Sequence, residues 1–179
     1  DEFAKDVSEF DTLEELKADI KTKLEEEAKK KTEQELRNKV VETVVDQVEI
    51  NLPNAVVERQ IDNMMKDFEY NLGYQGLNLE YYYNMTGTKE ADLRNQMIED
   101  AKKRVKTQIV LDKISELEEI KATEEEIDQE ITKMAEQYKQ EVEKLKSLLQ
   151  EREEDMAYIK DTIVSRKTID FLIENAKII

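Results

Sequence analysis

The sequence has no cysteine, no histidine and no tryptophan, and only one proline and three glycines among 179 residues. Without cysteine it has neither a disulfide framework nor a thiolate metal site, in keeping with the reducing cytoplasm. Without histidine it has no imidazole to serve as general base, triad member or metal ligand. The four serines, Ser8, Ser115, Ser147 and Ser165, sit in no nucleophile elbow or Ser-Lys motif. Three glycines form no phosphate-cradling loop, so no nucleotide cofactor is expected and no catalysis. No apolar run approaches the roughly 18 to 20 residues of a membrane helix, and no signal peptide is visible. The chain begins at Asp1 without an initiator methionine and reads as a piece of a longer protein.

What the chain does have is charge. Asp, Glu, Lys and Arg make up 40% of it, against 39% hydrophobic residues, and the formal net charge is −16. An excess of carboxylates repels nucleic acid phosphates and anionic membrane surfaces, so neither is expected as a partner. Glu25, Glu26 and Glu27, like Glu124, Glu125 and Glu126, can attract a divalent cation. The first run reads instead as a solvated helix face, and the second as favourable charge at a helix N-terminus. With few residues to break helices and no strand alternation, the fold class is all-α and elongated.

Thr12 and Glu15 have capping-box spacing, and nothing interrupts a helix from there to about Val48. Its apolar residues cluster at the two ends: Leu13, Leu16, Ile20 and Leu24, then Leu36, Val40, Val41, Val44, Val45 and Val48. Both ends are expected to pack while the middle faces water. Pro53 suits a first helical turn, and a second helix runs to about Leu72 with Gly73 as its stop. Asn78 caps a short helix ended by Gly87, and Thr88 caps a long one to about Ile120. Thr123 and Glu126 form a second capping box. From it Ile127, Ile131, Met134, Tyr138, Val142, Leu145 and Leu149 step as a heptad seam, read as one side of an antiparallel hairpin. EREED interrupts that seam. Met156, Ile159, Ile163, Ile169, Leu172, Ile173 and Ala176 mark a closing helix.

The stretch YNLGYQGLNLEYYYNMTG, residues 70–87, holds all three glycines and five of the seven tyrosines. One reading is a helix connection whose tyrosines bury their rings and keep their hydroxyls wet. The other is an exposed aromatic patch, with Met64, Met65, Phe68 and Met85 adding adaptable apolar contact.

Several segments carry a resemblance to one family, collinear over essentially the whole chain. DEFAKDVSEFDTLEELKADIKTKLEEEA resembles the segment after the isomerase domain in bacterial trigger factors, the ribosome-associated chaperones. VEINLPNAVVERQIDNMM resembles their entry into the C-terminal domain. LEYYYNMTG with ADLRNQMIEDAKKRVKTQIVLDKI resembles the next helix pair. KATEEEIDQEITKMAEQY and IVSRKTIDFLIENAKI resemble the last hairpin and closing helix. The tract YKQEVEKLKSLLQEREED lacks the glycine common after the family's tyrosine, so whether the helix breaks between Tyr138 and Glu153 stays open.

The resemblance implies a single helical substrate-binding domain over residues 1–179, similar to the helical region of the chaperone SurA. Residues 12–48 would be a linker helix, 53–122 a first protruding arm with its return, 123–165 a second arm, and 166–179 a closing helix on the body. It implies an ATP-independent holdase whose partners are unfolded or nascent polypeptides. Ribosome docking and prolyl isomerisation would belong to domains absent from this chain. Exposed apolar arms can also pair with one another, so the sequence leaves self-association through them, and with it the oligomeric state, open. The residues expected to meet clients are Met64, Met65, Phe68, Tyr74, Tyr81, Tyr82 and Met97. On that expectation Met64→Glu with Phe68→Glu weakens aggregation suppression and spares helicity. The alternative is a helical spacer or dimerisation module with one fixed partner.

Overall fold

The computed structural model describes Asp1 and residues 8–177. Among them are seven α-helices and no strand. They are α1 (Leu13–Asp46), α2 (Asn54–Tyr74), α3 (Leu79–Thr86), α4 (Glu90–Leu117), α5 (Glu124–Tyr138), α6 (Val142–Gln150) and α7 (Glu153–Asn175). The all-α reading holds. Most of the lead before the first helix, residues 2–7, and the last two positions assigned to the closing helix lie outside the described residues.

The helix starts follow side-chain chemistry. At α1 the Glu15 backbone N–H donates to Thr12 Oγ1 at 3.2 Å, and the Thr12 N–H donates to the Glu15 carboxylate at 3.1 Å. The same reciprocal pair opens α5, where Glu126 N–H reaches Thr123 Oγ1 and Thr123 N–H reaches the Glu126 carboxylate. Each pair satisfies two backbone donors that the first helical turn leaves free. Asn78 caps α3 by accepting from the Tyr81 N–H at 2.8 Å. Thr88 is not the cap of α4. Lys89 occupies that position, and its N–H donates to Asp92 at 3.2 Å.

The chain divides into two units, 1–41 and 42–179, with the boundary inside α1. In the first unit every residue from Lys21 to Glu35 is exposed, as the charge run implies. The apolar N-terminal stripe departs from expectation: Leu13, Ile20 and Leu24 remain exposed, and Leu16 is half-buried. In the second unit the end of α1 contributes the buried Val45, and Glu42 pairs with Lys103 of α4 at 2.7 Å.

The second unit holds two apolar clusters. In the first, α2 packs on α4 through Val57, Ile61, Met64, Met65, Leu93 and Ala101. Arg94 of α4 ties the same pair of helices together, reaching Glu58 and Asp62 of α2 at 2.8 Å each. In the second, α5, α6 and α7 close around Ile127, Ile131, Ile159 and Ile163. Each of these isoleucines is almost completely buried, worth roughly 1.5–3 kcal/mol of transfer free energy. Helix α4 also packs against α7. Lys167 of α7 bonds the Lys121 carbonyl at 2.7 Å and the Glu126 carboxylate at 2.9 Å, holding the start of α5 in place.

The heptad seam does not run along one helix. Helix α5 ends at Tyr138, Lys139 turns left-handed at φ 53°, and Gln140 N–H returns to the Ala135 carbonyl at 2.9 Å. A left-handed residue other than glycine costs about 1–2 kcal/mol, so this stop is built without the usual glycine. The question left open by the missing glycine is answered: the helix breaks. Val142, Leu145 and Leu149 fall on α6 and still join the isoleucine cluster, whereas Tyr138 leaves it and is exposed. Helix α7 is continuous through residues 165 and 166.

Candidate functional site

The tyrosine-rich stretch takes its shape from its glycines. Gly73 is not the stop of α2; the helix passes through it to Tyr74. Gly76 supplies the left-handed turn at φ 73°, and Leu77 N–H closes back on the Leu72 carbonyl at 2.9 Å. Gly87 ends α3 at φ 70°, its N–H bonded to the Tyr83 carbonyl. Glycine adopts positive φ without the Cβ clash that other residues meet.

These turns sort the aromatic residues by face. On α3, Leu79, Tyr82 and Tyr83 follow helical spacing and pack on the α2–α4 cluster. Phe68 of α2 meets Tyr82 edge to face, with centroids 5.0 Å apart and planes at 80°. The Tyr83 hydroxyl is buried without a hydrogen-bond partner among the described residues, and burial pushes its pKa up. One turn apart on the opposite face, Tyr81 and Met85 are 54% and 63% exposed.

At the end of α2, Tyr70 and Tyr74 stand one turn apart, 65% and 76% exposed. Their rings lie edge to face at 4.8 Å, and their hydroxyl oxygens are 2.7 Å apart. That hydrogen bond, then the charge of an ionised Tyr74, raises the Tyr70 pKa. The end of α2 and the end of α5 each carry exposed phenol rings. A ring pair of this geometry is worth about 0.5–1.5 kcal/mol beyond its burial, so the outward pair is partly pre-ordered.

The residues expected from sequence therefore divide. Met64 and Met65 are a correction: both are buried in the α2–α4 core, where an outside chain cannot reach them without parting the helices. The Met64→Glu, Phe68→Glu pair would therefore put charge into the core and disturb the fold it was meant to spare. Phe68, Tyr82 and Met97 are half-buried supports of the same core. Only Tyr74 and Tyr81 of the seven lie open. Sequence reasoning left Tyr70 and Tyr138 out of the set. The i, i+4 spacing of Tyr70 and Tyr74 was a usable signal for the first. Tyr138 had none, because its exposure follows from a helix break at a lysine.

Among the described residues no group of three His, Cys, Asp or Glu is placed to hold a metal ion. Glu126 instead accepts from Lys167 and from the Thr123 N–H, and those bonds, the Lys167 one foremost, hold its pKa below the usual carboxylate range. No helix among the described residues is long and apolar enough to cross a membrane.

The family model described as the bacterial trigger factor protein C-terminus matches residues 12–174. The trigger factor of Alkaliphilus metalliredigens is 65% identical over 178 residues, covering 99% of this chain and 41% of that protein. That of Clostridioides difficile is 51% identical over the same length and with the same coverage. The chain thus spans about two fifths of the length of these curated relatives. A solved structure of domains of trigger factor from Thermotoga maritima superposes with a TM-score of 0.63 at 19% identity, over 80% of this chain and 83% of that one. A second, from work on promiscuous substrate recognition by the trigger factor chaperone, gives 0.60 at 23% identity, over 99% of this chain and 42% of that one. At those identities the structural likeness speaks for the fold, while the family match and the close relatives speak for descent. The chain belongs to the bacterial trigger factor C-terminal family.

Proposed function

We propose that this chain is an ATP-independent holdase domain that covers exposed hydrophobic segments of unfolded or nascent polypeptides. The observation that carries the reading is the outward set Tyr70, Tyr74, Tyr81, Met85 and Tyr138, apolar surface that the fold leaves unburied while closely related positions are packed. Single exposed apolar side chains are ordinary; here the exposed rings of Tyr70 and Tyr74 pack edge to face on one helix end, and Tyr81 and Met85 share one outward face of α3. Tyrosine gives large contact area with little entropy to lose, and methionine re-packs around varied shapes. Contacts of about 25 cal/mol per Å², less the ordering cost of association, suit weak and reversible capture without nucleotide hydrolysis. Ribosome docking and prolyl isomerisation we assign to parts of the longer relatives outside these residues, and the working compartment to the cytoplasm.

Aggregation of several unrelated unfolded proteins, followed by light scattering with and without the chain, tests the reading. Suppression should fall in a Tyr70→Ser, Tyr74→Ser, Tyr81→Ser, Met85→Ser variant whose helical circular dichroism is unchanged. Full suppression by that folded variant would overturn the assignment. Binding of one protein at fixed stoichiometry, with no effect on the others, would favour a spacer or dimerisation module.

A further inference from the structure

Carboxylates outnumber lysines and arginines 44 to 28 in this chain, so surface lined without a carboxylate is the exception. Residues 102–106, KKRVK, place four cations within five positions of α4. Val105 turns into the core, while Lys102, Lys103 and Arg104 are exposed and Lys106 is half-buried. Beside this run lies a surface groove of about 480 Å³ between α2 and α4, lined by Gln60, Lys103, Arg104, Thr107 and Gln108.

The donors of this groove are not equally available. The Lys103 ammonium bonds Glu42 at 2.7 Å, and that bond, followed by the charge of Glu42, keeps its pKa raised. Thr107 donates its hydroxyl to the Lys103 carbonyl, and Gln108 donates its amide to Asp112. Arg104 is different: among the described residues its guanidinium takes part in no ion pair and no side-chain hydrogen bond, and it is exposed. A free guanidinium fork presents paired N–H donors at the spacing of a carboxylate.

We propose that the groove between α2 and α4 receives carboxylate side chains of acidic polypeptide segments, with Arg104 as the bidentate anchor and Gln60 as an amide contact. The inference rests on the holdase reading, since it supposes polypeptide clients, and it names a class of segment that the tyrosine surface does not serve. A surface carrying a net charge of −16 repels acidic stretches of a client, and this groove is where the repulsion is relieved. Nucleic acid fits poorly, because phosphate backbones are held by several cations together and, of the two that line this groove, Lys103 is already paired with Glu42.

The test uses the 179-residue chain and a labelled peptide of alternating Glu and Gly, beside a matched Gln–Gly peptide, followed by fluorescence anisotropy at low salt. The Glu peptide should bind more tightly by about fivefold or more, and Arg104→Gln should abolish that preference. Arg104→Lys, which keeps charge but loses the fork, should retain only part of it. Equal binding of the two peptides, or an unchanged preference in Arg104→Gln, would overturn the proposal. So would inorganic phosphate or a single-stranded oligonucleotide binding as tightly as the Glu peptide with the same dependence on Arg104. Aggregation suppression of a client without acidic residues serves as the separate arm. If the wild-type chain fails there, the holdase reading falls while the peptide comparison still reports on the groove. If Arg104→Gln suppresses normally there yet loses the Glu preference, both readings stand.

Discussion

Replacing Met64 and Tyr74 separately by alanine distinguishes core from contact surface. Met64 is 9% exposed and packs among Val57, Ile61, Met65, Leu93 and Ala101, with Phe68, Tyr82 and Met97 alongside. Truncation forfeits the transfer free energy of the side chain and leaves a cavity; methionine-to-alanine changes in cores cost about 2–5 kcal/mol. Because Met65, Met97 and Phe68 are able to lean into the space, the lower part of that range, about 2–3 kcal/mol, is the expected loss. Tyr74, 76% exposed, gives up a surface ring contact and its hydroxyl bond to Tyr70, so Tyr74→Ala should stay within about 0.5 kcal/mol. Urea denaturation followed by circular dichroism measures both. A midpoint drop of roughly 1 M or more at constant slope is expected for Met64→Ala, and almost none for Tyr74→Ala. Since the chain has two units, amide hydrogen exchange over α2 and α4 should localise the loss to that pair. Aggregation suppression should show the reverse order, impaired by Tyr74→Ala and, below the unfolding range, spared by Met64→Ala. Equal stability of the two variants would refute the burial assignment and return Met64 to the contact surface.

Gly73 lies inside α2 with open space where a Cβ would go, so Gly73→Ala should raise the melting midpoint, a gain of about 0.5–1 kcal/mol. Gly87 has equal space but φ +70°, and Gly87→Ala should lower stability by about 1–2 kcal/mol; the same thermal scans compare the two. Thr123→Ala removes the α5 cap and should cost roughly 1 kcal/mol in urea. The Glu126 carboxyl is held low first by its bond from Lys167 and then by the Thr123 N–H, so its stabilisation is complete above the ordinary carboxylate pKa and fades as pH falls through the lowered folded value. Glu126→Gln should therefore flatten the acid limb of a stability–pH curve, and coincident acid limbs for variant and parent would contradict that role.

Local chemistry was readable from the sequence wherever neighbours along the chain decide the outcome. Thr12 with Glu15, Thr123 with Glu126, Asn78 and Gly87 each act within one helical turn, and each stands where the sequence implied. The apolar periods of α2 and of the closing helix likewise marked residues that are buried, among them Ile61 and Ile163. Periodicity names an apolar face but not what lies across from it. Met64 and Tyr74 both belong to α2, yet one meets α4 and the other meets water. The end of α5 shows the same limit from another side. A heptad seam running through Tyr138 into Val142 looks continuous on paper, and a left-handed lysine breaks it.

Helix content, acidity and the family were present in the order of residues, because propensity, capping and charge are local or additive. Which aromatic and methionine side chains stay uncovered was decided only by tertiary packing. Burial depends on the partner a face finds, and that partner lies on another helix, beyond the reach of local periodicity: Leu93 and Ala101 for Met64, Tyr82 for Phe68.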